Sequence, residues 1–227
     1  MTARKMKCYV RCVILRKDIA LARTMRPILR LIAILLYVAL FDASWSTPAK
    51  TTDRTSLAGQ LLVSSPSIAD PHFDHTVIFL VQHDQKGAFG IAINLPLEER
   101  PLASLLEKPG AKDVKATGNV RIFAGGPVQP DIGFVIHSSD YRQPETVAID
   151  ARIAMTSSRR VLQDIGNHKG PKKYLVAFGY AGWAPGQLEA ELERRVWFIA
   201  AGDFKLIFDE DRDKVWESAY SHREEDL

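Results

Sequence analysis

Cysteine is nearly absent: the 227-residue chain has two, Cys8 and Cys12. Everything beyond Cys12 therefore lacks a thiol nucleophile, a cysteine-based metal site and an internal disulfide. Long apolar runs are missing too. The stretch Leu31–Phe41 would span only about 16 Å as a helix, against roughly 30 Å of membrane hydrocarbon. Ser157 and Ser158 have no G-x-S-x-G setting, which removes a nucleophile elbow. Gly87 and Gly90 lead into a strand rather than a helix, which removes a dinucleotide loop. Basic charge is also scarce where it would matter. Of 30 Lys/Arg and 27 Asp/Glu, the first 30 residues hold nine and one, leaving 21 basic and 26 acidic residues beyond, a net charge of −5. The pI near 8.8 thus belongs to the leader. An acidic body argues against direct nucleic-acid contact, which needs a basic face.

What is present divides into a leader and a body. Residues 1–56 comprise a basic segment, the run Leu31–Phe41 and a polar linker from Ser46 to Ser56. Arginines before a short apolar stretch, with small residues after it, are laid out like a secretory signal or a membrane-surface anchor. An extension upstream of the true start and a packed accessory helix are the competing readings. The body is expected to be a single domain over residues 57–227. A cytoplasmic location is expected, with membrane association or export as the alternative if residues 25–46 act as anchor or signal.

Within the body, Gly59–Val63, Thr76–Gln82 and Ala88–Asn94 read as strands. The last two form a hairpin across the five-residue turn HDQKG, and Pro96 ends the second. Leu102, Leu105 and Leu106 have helical spacing. Asn119–Ala124 and Gly133–His137 are expected to pair as a second hairpin around Gly125, Gly126 and Pro127. Thr146–Ile149 reads as an edge strand, and a helix capped from Thr156–Ser158 buries Val161, Leu162 and Ile165. Tyr174–Gly179 is a buried strand. Pro185–Trp197 reads as an amphipathic helix exposing Glu189, Glu193 and Arg194. Phe204–Phe208 reads as a short strand, and Asp211–Tyr220 as a last helix with aspartate caps and Val215, Trp216 and Ala219 inward.

Several residue groups invite a chemical role. His83 and His137 close two strands, and either could serve as a general base at a shared rim, or bond a turn backbone. Gly125 and Gly126 could form an anion-binding nest. Ser157 and Arg159 stand at a helix N-terminus that could receive an anion, or simply cap a surface helix. His72, Asp74 and His75 lack further partners for a metal, and no metal or cofactor is expected.

Four segments, GQLLVSSPSIADPHFDHTVIFLVQHDQKGAFGIAINLP, AGGPVQPDIGFVIH, MTSSRRVL and VAFGYAGWAPGQLEAELERRVWFIA, resemble the YqgE/AlgH family in order and spacing. The resemblance implies an α+β fold, with helices around a branched, partly barrel-like sheet, in bacterial, usually cytoplasmic proteins. Some members are named as transcriptional regulators. The positions matching its motifs are His83, Gly87, Gly90, Asn94, Gly125, Gly126, Thr156, Tyr180, Trp183, Gly186 and Gln187. The long leader departs from the family pattern. The resulting expectation is a non-enzymatic regulatory or binding module for a protein or a small anionic ligand, without direct DNA contact. A hydrolase using His83 and His137 is the alternative.

Overall fold

Strands with apolar residues on both faces need cover on both sides, and here helices supply it. The computed structural model describes residues 56–107 and 116–224. Strands β1 (Leu61–Ser64), β2 (Val77–Asp84) and β3 (Gly87–Ala92) are antiparallel neighbours. Asp84 pairs with Gly87, so only Gln85 and Lys86 turn the hairpin, more tightly than expected. Next come β4 (Pro96–Pro101), helix α1 (Leu102–Leu106), β5 (Asn119–Ala124) and β6 (Val128–Ser138). They are followed by β7 (Val147–Ala148), β8 (Ile153–Thr156), α2 (Arg159–Gly166) and β9 (Tyr174–Trp183). The chain ends with α3 (Gln187–Glu193), β10 (Trp197–Ala200), α4 (Phe204–Phe208) and α5 (Val215–Ser221).

The ten strands form one curled sheet in the order β10-β1-β2-β3-β9-β6-β8-β7, from which β4 and β5 branch. The branch lies at β9. Val176 pairs in parallel with Ile122 of β5 and antiparallel with Val135 of β6, so these two strands occupy opposite edges of β9. Farther along, Ala181–Trp183 pair with β3, which meets β5 end to end: Ala92 N donates to Gly125 O at 2.8 Å, and Gly125 N to Phe178 O at 2.7 Å. The chain must then pass from one edge of β9 to the other between Ala124 and Val128. Gly125 and Gly126 make that crossing. A Cβ on Gly125 would lie 2.3 Å from the Gly179 carbonyl oxygen, and one on Gly126 2.2 Å from the Tyr180 carbonyl carbon. Only glycine lets two backbones approach so closely.

Three apolar clusters fill the fold. One joins β-sheet residues such as Phe79, Ile91 and Ile136 to Leu206 and Ile207 of α4 and Val215 and Ala219 of α5. A second sets Leu188 of α3 against Leu62, Ile78, Leu80 and Trp183. The third packs α1 and α2, through Leu102, Leu106, Val161, Leu162 and Ile165, on Val120 and Val176.

Several expectations fail for physical reasons. Phe204–Phe208 is a helix, because the Asp203 carboxylate accepts from Lys205 N (2.7 Å) and Leu206 N (3.0 Å), and Arg212 caps its far end. Pro96 opens β4 rather than only ending β3, and that strand is fully exposed. Asn119–Ala124 pairs with β4 and β9, not with Gly133–His137, which lies between β8 and β9. The helix expected to reach Trp197 stops at Glu193: Arg195 takes a left-handed φ of 56°, freeing Trp197–Ala200 to form β10. The last helix begins at Val215 with no side-chain cap; Asp211 instead accepts from Asp213 N at 3.4 Å.

Candidate functional site

The two histidines expected to share a rim are far apart. His83 pairs with Ala88, and Ala88 with Trp183 at one end of β9, whereas His137 pairs with Tyr174 at the other. Those ends are the two ends of a ten-residue strand, on the order of 30 Å apart at ~3.3 Å per step. Their surroundings differ as well. His83 Nδ1 accepts from Leu57 N at 3.0 Å, which places the ring proton on Nε2, 3.4 Å from Glu189 Oε1. Ser56 Oγ also donates to the His83 carbonyl at 2.7 Å. His137 is fully buried, with Nδ1 2.9 Å from Ser138 O and Nε2 2.9 Å from Thr156 Oγ1. Neither ring offers a free basic nitrogen to a common substrate.

Most of the remaining marked positions shape the backbone. Asn94 is buried just past β3 and ties it to the start of β2, accepting from Val77 N and donating to His75 O, both at 2.8 Å. Thr156 belongs to β8 and bonds both His137 and, at 2.7 Å, Thr146. The cap of α2 is Ser158, leaving Ser157 and Arg159 exposed beside it. Tyr180 packs against Phe89 at 4.7 Å in the main core. Gly87 lies where a Cβ would be 2.1 Å from the Trp183 carbonyl oxygen. His72 pairs with Asp70 at 2.9 Å and His75 with Asp74 at 2.7 Å. Among the described residues no cluster of three or more His, Cys, Asp or Glu is arranged to hold a metal.

Trp183 is different, because it borders a cavity of about 460 Å³ beneath α3. Gly186, with φ of 76°, starts this helix and turns the chain back over the sheet. Its two flanks carry opposite duties. Glu191 Oε2 accepts from the indole N–H groups of Trp183 (2.8 Å) and Trp197 (2.9 Å), and Oε1 from Gln187 Nε2 at 3.0 Å. Glu189, expected to be exposed, instead turns to His83. Gln187 Oε1 also accepts from Ala184 N at 3.1 Å. The Trp197 ring meets Trp183 and Phe73 edge-on, with centroids 6.1 and 5.4 Å away. Ile68, Asp70, Pro127, Val128, Gly182 and Arg194 also line the wall. Asp70 is held below the usual carboxylate range, chiefly by the His72 backbone N–H. The cavity thus combines fixed aromatic surface with a fully engaged carboxylate, and holds no nucleophile paired with a base.

The AlgH-like family model matches residues 61–227. The chain belongs to the AlgH-like family. It is 40% identical over 170 residues to a UPF0301 protein of Sphingopyxis alaskensis, covering 75% of this chain and 90% of that one. A UPF0301 protein of Methylococcus capsulatus is 41% identical over 165 residues, covering 73% and 90%. The solution structure of AlgH from Pseudomonas aeruginosa superposes with a TM-score of 0.65 at 38% identity, over 76% of this chain and 92% of that one. The expected branched, partly barrel-like α+β architecture is therefore that of this AlgH-like domain.

Of the AlgH-like signature, Trp183 and Gln187 reach the cavity, and Gly186 positions the helix that roofs it. Phe73, Glu191 and Trp197 were not singled out from sequence. A usable signal existed for one of them: Glu191 follows Gln187 by four residues and the buried Leu188 by three, so it shares a side of α3 with both.

Proposed function

We propose that the AlgH-like domain is a non-enzymatic regulatory or binding module whose ligand seats in the cavity beneath α3. The observation that carries this reading is the Glu191 carboxylate clamped by two indoles and an amide at the wall of an open, aromatic-lined pocket. Such a set holds rigid shape without performing proton transfer. Of the two ligand classes expected, a protein segment suits it better than a small anion, because Asp70 and Glu191 outnumber Arg194 around the pocket. The separation of His83 from His137 weakens the hydrolase alternative. Direct DNA contact finds no support in a body of net charge −5.

The test is a fragment screen on the full chain, followed by tryptophan emission and amide shifts. Binders are expected to move Trp183, Gly182 and Gln187, and to be lost in Val128→Asp. Binders that cluster elsewhere and leave these groups unmoved would defeat the reading.

We place the protein in the cytoplasm, with membrane-surface attachment as the alternative carried by the leader, which lies outside the described residues. Among the described residues no helix is long and apolar enough to cross a membrane. Attachment is read by sedimenting the full chain with anionic vesicles: binding at low salt and release at high salt supports it. A supernatant fraction at both salts removes it.

A further inference from the structure

Resting on that reading, we infer that the occupant of the cavity is an extended polypeptide of a partner protein, which adds beside β9 and pairs with Gly182. Along a strand, successive N–H and C=O pairs point to alternate edges. The Trp183 carbonyl abuts Gly87 of β3, as the 2.1 Å approach of a Cβ built there shows, so Trp183 and Ala181 face β3. Gly182 between them faces the other edge. That edge belongs to β6 as far as Tyr180, which pairs with Val128, the last β6 partner in this direction. Beyond it Pro127 and Gly126 leave the edge to cross over Tyr180, and among the described residues no strand pairs with Gly182 on this side.

The cavity opens at this place. Gly182 lines it with Pro127 and Val128 on the β6 side, and Ile68 and Phe73 form part of the remaining wall. Gly182 and Val128 are both exposed, Val128 to 38%. An incoming strand continuing the line of β6 would therefore find a donor and an acceptor on Gly182, and apolar surface for one large side chain. Charge supports a polypeptide carrying a basic residue next to its anchor, since two carboxylates against one guanidinium line the cavity and the body is acidic.

The test selects phage-displayed random heptapeptides on the full chain, with Val128→Asp as counter-selection and its thermal melt as the check on folding. Synthetic versions of the enriched sequences are then N-methylated one backbone amide at a time. Strand addition requires a shared large apolar residue with a basic neighbour, a shift of the Gly182 amide, and at least tenfold weaker binding for methylation at one position. Peptides that occupy the pocket but tolerate methylation throughout would overturn strand addition and leave the binding-module reading standing. Strand addition is likewise overturned, and the module reading kept, if no peptide survives counter-selection while fragments still bind the pocket. Failure of peptides and fragments together brings down both.

Discussion

A histidine inside a sheet must find a partner for each ring nitrogen, and His137 does so through a directed chain. Its Nδ1 donates to Ser138 O, while Thr156 donates to Nε2, Thr146 to Thr156, and Gln143 N to Thr146 at 2.9 Å. Burial holds the imidazole below its ordinary pKa of 6.5. The unfolded chain therefore takes up this proton more readily than the folded one. Stability contributed by neutral His137 is complete above pH 6.5 and declines as pH falls from there toward the lowered folded value. Urea unfolding at about pH 7.5 and about pH 5.5 should show this loss in the wild type and a smaller one in His137→Gln. The variant should itself be less stable at the higher pH, by about 1–3 kcal/mol, from partners left unpaired. Equal pH slopes in the two proteins would refute the assignment. Tyr141, pushed up to about 12 by burial and its bond to Asp164, stays protonated throughout.

Elements here are held at their ends. The buried Arg212 guanidinium serves α4, donating to Ile207 O (3.1 Å), Leu206 O (3.1 Å) and Glu210 O, and reaching Ile93 O (3.3 Å) just past β3. Arg212→Met should cost about 3 kcal/mol in denaturant unfolding, since several carbonyls lose their donors. Arg212→Lys should recover little, because an ammonium lacks the planar fork. Gly126→Ala should cost about 3 kcal/mol or more, or prevent folding, because the crossing over β9 leaves no room. A melting temperature within a degree of wild type would contradict the crossing. The same end effects explain what sequence could and could not disclose. The β2–β3 hairpin was legible because apolar runs flank a glycine turn. The helical Phe204–Phe208 was not, because F-K-L-I-F is a short, mostly apolar run that periodicity cannot assign to strand or helix, and its Arg212 cap lies outside it. The pairing of β6 with β9 joins distant segments, which local spacing does not encode. At the site, Trp183 was visible as part of a motif, but Phe73 and Trp197 reach the cavity only through tertiary packing.

For the whole molecule, the relatives set a useful limit. Alignment over 170 residues takes in 90% of the Sphingopyxis protein, so the domain makes up most of that chain. A chain starting at Ser56 is accordingly expected to unfold in one cooperative step, observed by circular dichroism and tryptophan emission together. Starting instead at Gly59 removes the bonds from Ser56 and Leu57 to His83 and should lower stability by about 1–2 kcal/mol. Identical melts for the two would show that this segment contributes nothing.

The position of β9 also bears on synthesis. Its partners β3, β5 and β6 all precede it in the chain, yet their shared edges are completed only when Tyr174–Trp183 arrives. A nascent chain emerging in order therefore carries a sheet with its middle missing for much of translation. During that interval open strand edges invite misassociation, the hazard of long-range pairing. Nascent chains halted before Tyr174 should recruit holding chaperones and aggregate when released, whereas those long enough to expose Trp183 outside the ribosome should begin to resist protease. The strand that joins the two halves of this sheet is also the one for which its folding must wait.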